Sequence, residues 1–254
     1  MLSVAVEDVL SIYAVRINPT ADPDDVAAGV QSFMDKLQGE AFKNSEELLK
    51  DVDAVAQYLW TSGKRHHVVH GMELCSVLNA VIRDDVEAEI KAAITIFRSI
   101  NNRLVERSEG HVDPYYPRGG ETWRGGGFRT CFRPFFEQMV SKKYRVPGFL
   151  ATSSKRRVAA EFAFKASNDH PRVIWRVMFD RRGKHDPEYR VQHMTLVSKT
   201  LVKGEHEYLF APYSVFTLVS VKWSKSLRKP HEFTIQAACN NKSEPEDLPL
   251  VPWY

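Results

Sequence analysis

Cysteine is scarce in this sequence, and what little there is lies scattered. Cys75, Cys131 and Cys239 are odd in number and far apart, and no CxxC pair occurs. A disulfide scaffold and a cysteine zinc knuckle are therefore not expected, and reduced thiols are the default. No stretch approaches 18 consecutive apolar residues, so no transmembrane helix is expected. The first 25 residues carry Glu7 and Asp8 and no basic leader, which argues against a secretory signal. A cytoplasmic protein or a delivered effector is the corresponding expectation. Charge of one sign is also lacking: 35 Lys and Arg against 32 Asp and Glu leave a net +3. That tolerates an anionic ligand but is too small and dispersed for a nucleic-acid surface.

Hydrophobic residues make up 43% of the 254, which suits a soluble globular chain. A chain this long can bury roughly 70–75% of its unfolded surface, so it needs no metal or disulfide staple. Its first hundred residues read as helices. "DPDDVAAGVQSFMDKLQ" opens on helix-start residues and spaces Val26, Val30, Phe33, Met34 and Leu37 at three- and four-residue intervals. "SEELLKDVDAVAQYLW" repeats the pattern with Ser45 as N-cap. Residues 72–107 supply one or two more helices, with a break expected near Asp84–Asp85.

Beyond Glu109 the texture changes to a Gly- and Pro-rich passage followed by short apolar runs: "RVIWRVMFD", "VQHMTLVS", "EYLFAP" and "SVFTLVSVKW". One helix interrupts them at 155–165. Helices followed by strands predict an α+β fold with a mainly antiparallel sheet. The expected division is a helical lobe over 1–108, a β-rich core over 109–238 and a loose Pro-rich tail over 239–254, all within one integrated domain.

Four features could carry chemistry. "HHVVH" clusters His66, His67 and His70; the first and last would share a helical face, but no HExxH pattern or nearby cysteine accompanies them. A His-rich helix end, with no metal, is the favoured reading. "RGGETWRGGGFR" suggests a strand ending at Arg124, with Gly125–Gly127 letting backbone approach a ligand that the guanidinium grips. "PGFLATSSKRRVAAEF" places Thr152, Ser153 and Ser154 between a short strand and a helix, where they can cap the helix, line a cleft, or do both. Finally, "LVKGEHEYLF" sets Glu205 and Glu207 two residues apart at the mouth of an apolar run. On a strand they would share a face, and mutual repulsion could drive the two carboxylates to different roles.

In that order, the arginine strand, the hydroxyl turn and the Glu-x-Glu strand resemble the arginine–serine–glutamate class of mono-ADP-ribosyltransferases, the group of vertebrate ecto-enzymes and clostridial-type toxins. "ITIFRSINNRL" is similar to the helix before that family's arginine strand, and "MTLVSKTLVKGEHEYLFAPYSVFTLVSVKW" follows its Glu-x-Glu line, so the likeness spans about residues 90–223. It implies two packed β-sheets enclosing an NAD cleft, with NAD as substrate and no metal. Arg124 would grip the NAD phosphates or ribose, with Gly125, Thr152 and Ser153 beside it. Glu207 would stabilise the oxocarbenium-like sugar, and Glu205 would orient or deprotonate an arginine acceptor on a protein. Lys203 and Gly204 would belong to the loop meeting that acceptor. Ala151 stands where the family has the first serine of Ser-Thr-Ser. The resemblance leaves two alternatives beside arginine transfer: an NAD glycohydrolase on the same site, and an NAD- or protein-binding module with weak catalysis, which Ala151 motivates.

Overall fold

The computed structural model describes residues 2–41, 52–63, 65–66, 69, 71–105, 116–127, 129–165, 170–197, 204, 206–226 and 229–252. The chain forms two compact units, a helical one drawn from Met1–Glu106 and a strand-rich one drawn from Arg107–Val197 and Gly204–Tyr254.

Helices α1 (Leu2–Ile17), α2 (Pro23–Ala41), α3 (Val52–Trp60), α4 (Leu74–Asp84) and α5 (Glu87–Val105) build the first unit. The expected stripe of α2 is buried at Val26, Val30, Phe33 and Met34. The break at Asp84–Asp85 is real: Asp85 adopts a left-handed conformation (φ 52°) and its N–H closes α4 on the Val81 carbonyl. Arg16 at the end of α1 ties this corner together. Its guanidinium bonds Asp84 at 2.8 Å and makes a very short contact with Glu89, whose side chain is fully buried. Ser45 lies outside the described residues. Residues 65–66 form a short strand, β1 (Arg65–His66), paired antiparallel with β2 (Met72–Glu73). The helical face assumed for His66 and His70 therefore does not exist at His66, because its backbone is extended; His67 and His70 lie outside the described residues.

Among the described residues of the second unit, eight strands follow the order β4 (Lys143–Val146), β9 (Ser214–Lys222), β10 (His231–Ala237), β6 (Arg172–Met178), β3 (Glu121–Gly127), β5 (Leu150–Ser153), β8 (Glu207–Phe210), β7 (Met194–Leu196). Every pairing is antiparallel except β6 with β10. The α+β class with a mainly antiparallel sheet is thus as expected. The order is continuous in name, but among the described residues β3 and β5 share only one residue pair, Trp123 with Ser153. Five strands and three strands therefore form two ladders meeting at a narrow seam. Their inner faces fill one core, with Trp175, Val177, Phe216 and Phe233 from one ladder and Leu150, Met194, Tyr208 and Phe210 from the other. Burying each such side chain contributes about 1.5–3 kcal/mol, so this shared core holds the two ladders in place.

Two short helices complete the unit, α6 (Arg133–Gln138) and α7 (Arg156–Lys165). Helix α7 lies on β3. A Cβ built on Gly125 would stand 1.6 Å from the Ala159 carbonyl oxygen, so only glycine permits this approach. The arginine strand accordingly does not stop at Arg124. It continues to Gly127, with Gly125, Gly126 and Gly127 paired to Ile174, Val173 and Arg172 of β6.

The expectation of a loose tail is corrected. Arg145 N–H donates to the Pro249 carbonyl and Val251 N–H to the Arg145 carbonyl, both at 2.9 Å, while Lys143 pairs with Glu244 at 2.6 Å. Prolines lack a donor but keep a carbonyl, so the segment can still dress one side of β4. Val251 is buried, which anchors it.

Candidate functional site

The narrow seam positions the residues singled out in the sequence. Register aligns Arg176 of β6, Trp123 of β3, Ser153 of β5 and Glu207 of β8 in one row across four strands. The three motifs, spread over more than eighty residues of sequence, thus become neighbours.

Arg124 follows Trp123 and points to the opposite face of β3. It sits beside Trp175 in register, on the face whose β6 residues enter the core. Its Nη1 donates to the Ala151 carbonyl at 3.0 Å, crossing the seam to β5. That bond uses one of five guanidinium donors and fixes the planar head relative to the hydroxyl turn. At position 151, then, the contact to arginine is made by backbone, and the missing hydroxyl does not affect it.

Thr152 faces inward. It is 4% exposed and its Oγ1 donates to the Tyr208 carbonyl at 3.1 Å, joining β5 to β8. Ser153 lies opposite Glu207, and its Oγ accepts the Lys155 N–H at 3.0 Å, turning the chain into α7. The bond shapes the turn ahead of α7 and reaches no N–H within the helix, so the expected cap by Ser153 is not what forms here.

Glu207 opens β8 and is only 8% exposed. A carboxylate so far removed from water is costly unless neighbours offset its charge, and such residues concentrate at sites with chemical work. The approach to Glu207 corrects one step of the sequence argument. His206 has φ +48° and Gly204 has φ +90°, so the strand begins at Glu207. The strand whose alternation was expected to align the two glutamates does not extend back through His206. Glu205 and Lys203 themselves lie outside the described residues. The turn is fixed by two backbone bonds, Ser154 N–H to the His206 carbonyl at 3.2 Å and Val197 N–H to the Glu207 carbonyl at 2.9 Å.

A trough of about 720 Å³ in this unit is lined by Arg176 but by none of Arg124, Thr152, Ser153 and Glu207. Its charged lining is largely paired off, Lys143 with Glu244, Arg176 with Glu121 and Arg182 with Asp180. Cavity size and chemistry disagree here, and the chemistry at the seam is the better guide to function. Among the described residues no cluster of three or more His, Cys, Asp or Glu is placed to hold a metal ion. Among the described residues no helix is long and apolar enough to cross a membrane.

These elements together have the ADP-ribosyltransferase fold. HopU1 of Pseudomonas syringae pv. tomato DC3000, an ADP-ribosyltransferase, is similar at a TM-score of 0.52 and 16% identity, over 91% of this chain and 96% of that one. Vis, an ADP-ribosyltransferase of Vibrio splendidus, gives 0.50 at 15% identity over 89% of each chain. The type III effector XopAI of Xanthomonas axonopodis pv. citri gives 0.50 at 12% identity, over 91% of this chain and 82% of that one. No family model and no curated protein matches the sequence. At identities this low the likeness establishes the fold, and the chemistry has to be argued from the residues.

Proposed function

We propose that this protein is a mono-ADP-ribosyltransferase that moves ADP-ribose from NAD to a protein side chain, with arginine as the acceptor. The observation that carries the reading is the alignment of Ser153 with Glu207, at the seam that the Arg124 guanidinium crosses from the opposite face of β3 to reach the Ala151 carbonyl. Arg124 holds the diphosphate or the adjoining ribose through charge and a planar pair of donors. The bond between ribose C1′ and the nicotinamide nitrogen breaks, and nicotinamide leaves with the bonding electrons. The carboxylate of Glu207 stabilises the positive charge that develops on the sugar, as in glycoside cleavage. A guanidinium nitrogen of the acceptor then bonds C1′ while Glu205 removes its proton. Gly204 lets the chain turn just ahead of this pair. Gly125 and Thr152 serve by shaping the strands, the first by admitting α7 and the second by joining β5 to β8. The acceptor assignment rests on Glu205, an acidic group suited to orient a cationic guanidinium. NAD serves as substrate, and no metal takes part in the reaction as written.

Labelled NAD incubated with agmatine and with an arginine-rich protein tests this. Label on the acceptor is the expected result; free ADP-ribose and nicotinamide without acceptor labelling would identify a glycohydrolase instead. Glu207→Gln is expected to remove nicotinamide release, and undiminished release would reject Glu207. Glu205→Gln is expected to reduce transfer far more than hydrolysis, and equal losses would remove its acceptor role.

A further inference from the structure

The residue between the two glutamates has no part in the chemistry above, yet its backbone is the most unusual near the site. His206 is one of few described non-glycine residues with positive φ, at +48°. Left-handed backbone is rare for side-chain-bearing residues, tolerated by Asn, Asp and His and strongly resisted by β-branched ones. The imidazole is exposed, and among the described residues it makes no hydrogen bond. What is engaged is the backbone. The His206 carbonyl accepts the Ser154 N–H at 3.2 Å, and the next residue enters β8 already opposite Ser153.

We infer that His206 is a positioning residue for Glu207, acting through its left-handed backbone and not through its imidazole. The inference rests on the ADP-ribosyltransferase reading. An extended residue 206 would lengthen β8 backwards, rotate its carbonyl away from Ser154, and re-aim the Glu207 side chain. Strain of this kind, held in place by surrounding bonds, is typical of functional sites. The hydroxyl turn and the carboxylate strand are thus locked to each other through a peptide group, on either side of which stand the residues that do the chemistry.

Three variants of the full chain test the idea: His206→Asn, His206→Gly and His206→Val. Asn and Gly accept the left-handed conformation and should keep kcat for nicotinamide release within about threefold of the parent. Val resists it, and kcat should fall about ten- to a hundredfold while KM for NAD stays within about twofold. Amide hydrogen exchange at Ser154 supplies a readout that does not depend on catalysis. It should quicken in the Val variant and stay at the parent rate in Asn and Gly. A Gly variant as impaired as Val would assign the role to the imidazole and overturn the inference, as would a fully active Val variant. Should the parent cleave no NAD, the proposed activity fails, and Ser154 exchange alone decides the positioning claim. Equal exchange in all three variants would then reject it.

Discussion

Replacing Gly125 with alanine should damage the protein in a way that follows directly from one contact. The added Cβ would lie 1.6 Å from the Ala159 carbonyl oxygen, 2.6 Å from its carbon and 2.7 Å from the Ala163 nitrogen. Since a carbon rests about 3.3 Å or more from a carbonyl oxygen, α7 would have to retreat by about 1.7 Å. All three atoms are backbone, so no rotamer change relieves the clash, and Gly125 is held by its pairing to Ile174. Overpacking of this kind costs about 3 kcal/mol, the upper end of the usual range. At about 2–4 °C per kcal/mol for a chain near this size, melting should fall by about 6–12 °C. The retreat also pulls on the Ser153–Lys155 turn from which α7 starts, so NAD cleavage should drop well below what the remaining folded fraction explains. Thermal melts by circular dichroism, with nicotinamide release measured at a temperature where the variant is folded, read both effects. Adding Ala159→Gly should not rescue, because the obstacle is a carbonyl oxygen. A melting shift under 2 °C, or rescue by Ala159→Gly, would refute the reasoning.

Two further outcomes concern stability. Arg16→Ala would leave the buried Glu89 without its cation; breaking such a pair costs about 3–5 kcal/mol, and because Arg16 is itself 35% exposed the lower figure applies. Urea unfolding should show that loss, most of it recovered in an Arg16→Met, Glu89→Met double variant, and a loss below about 1 kcal/mol would contradict the account. The second involves His231, whose pKa is lowered first by burial and then by the nearby charge of Arg133. Its Nδ1 accepts the Ser224 N–H at 2.8 Å, which requires that nitrogen unprotonated. Above pH 6.5 the ring is neutral folded or unfolded and contributes nothing to the pH dependence; below it the unfolded chain takes up the proton first. Stability should therefore decline as pH falls from about 6.5 toward the lower folded value, and His231→Gln should flatten that slope in urea midpoints at pH 7.5 and 5.5.

Where local chemistry decides the backbone, the sequence was legible. Adjacent aspartates after an apolar stripe marked the end of α4, and Asp85 does close it with a left-handed cap. The hydroxyl turn before α7 was readable because Ser153 bonds back to a neighbour two residues away. Three features escaped because their causes are distant in sequence. The glycines after Arg124 look like a loop until α7 is laid on them. His206 looks like a strand residue until Ser154, more than fifty positions earlier, takes its carbonyl. The tail looks like a linker until Arg145 is seen to pair with it on both sides. Strand β10 was passed over as well. It alternates Phe233, Ile235 and Ala237 toward the core, but these are interleaved with polar residues, and its central place depends on a parallel partnership with β6.

The one-pair seam between β3 and β5 bears on how such a site can be tuned. Elsewhere in the sheet, ladders of several bonds resist sliding; here alignment depends on one bridge, one guanidinium-to-carbonyl bond and the shared core. Changing the volume of a core residue such as Phe210 or Phe216 would shift one ladder against the other by fractions of an ångström. The spacing between the arginine side and the glutamate side of the site can then drift under selection while every residue that meets substrate stays the same. Relatives of this fold could diverge in rate or acceptor through their interiors, where a comparison of site residues would find nothing changed.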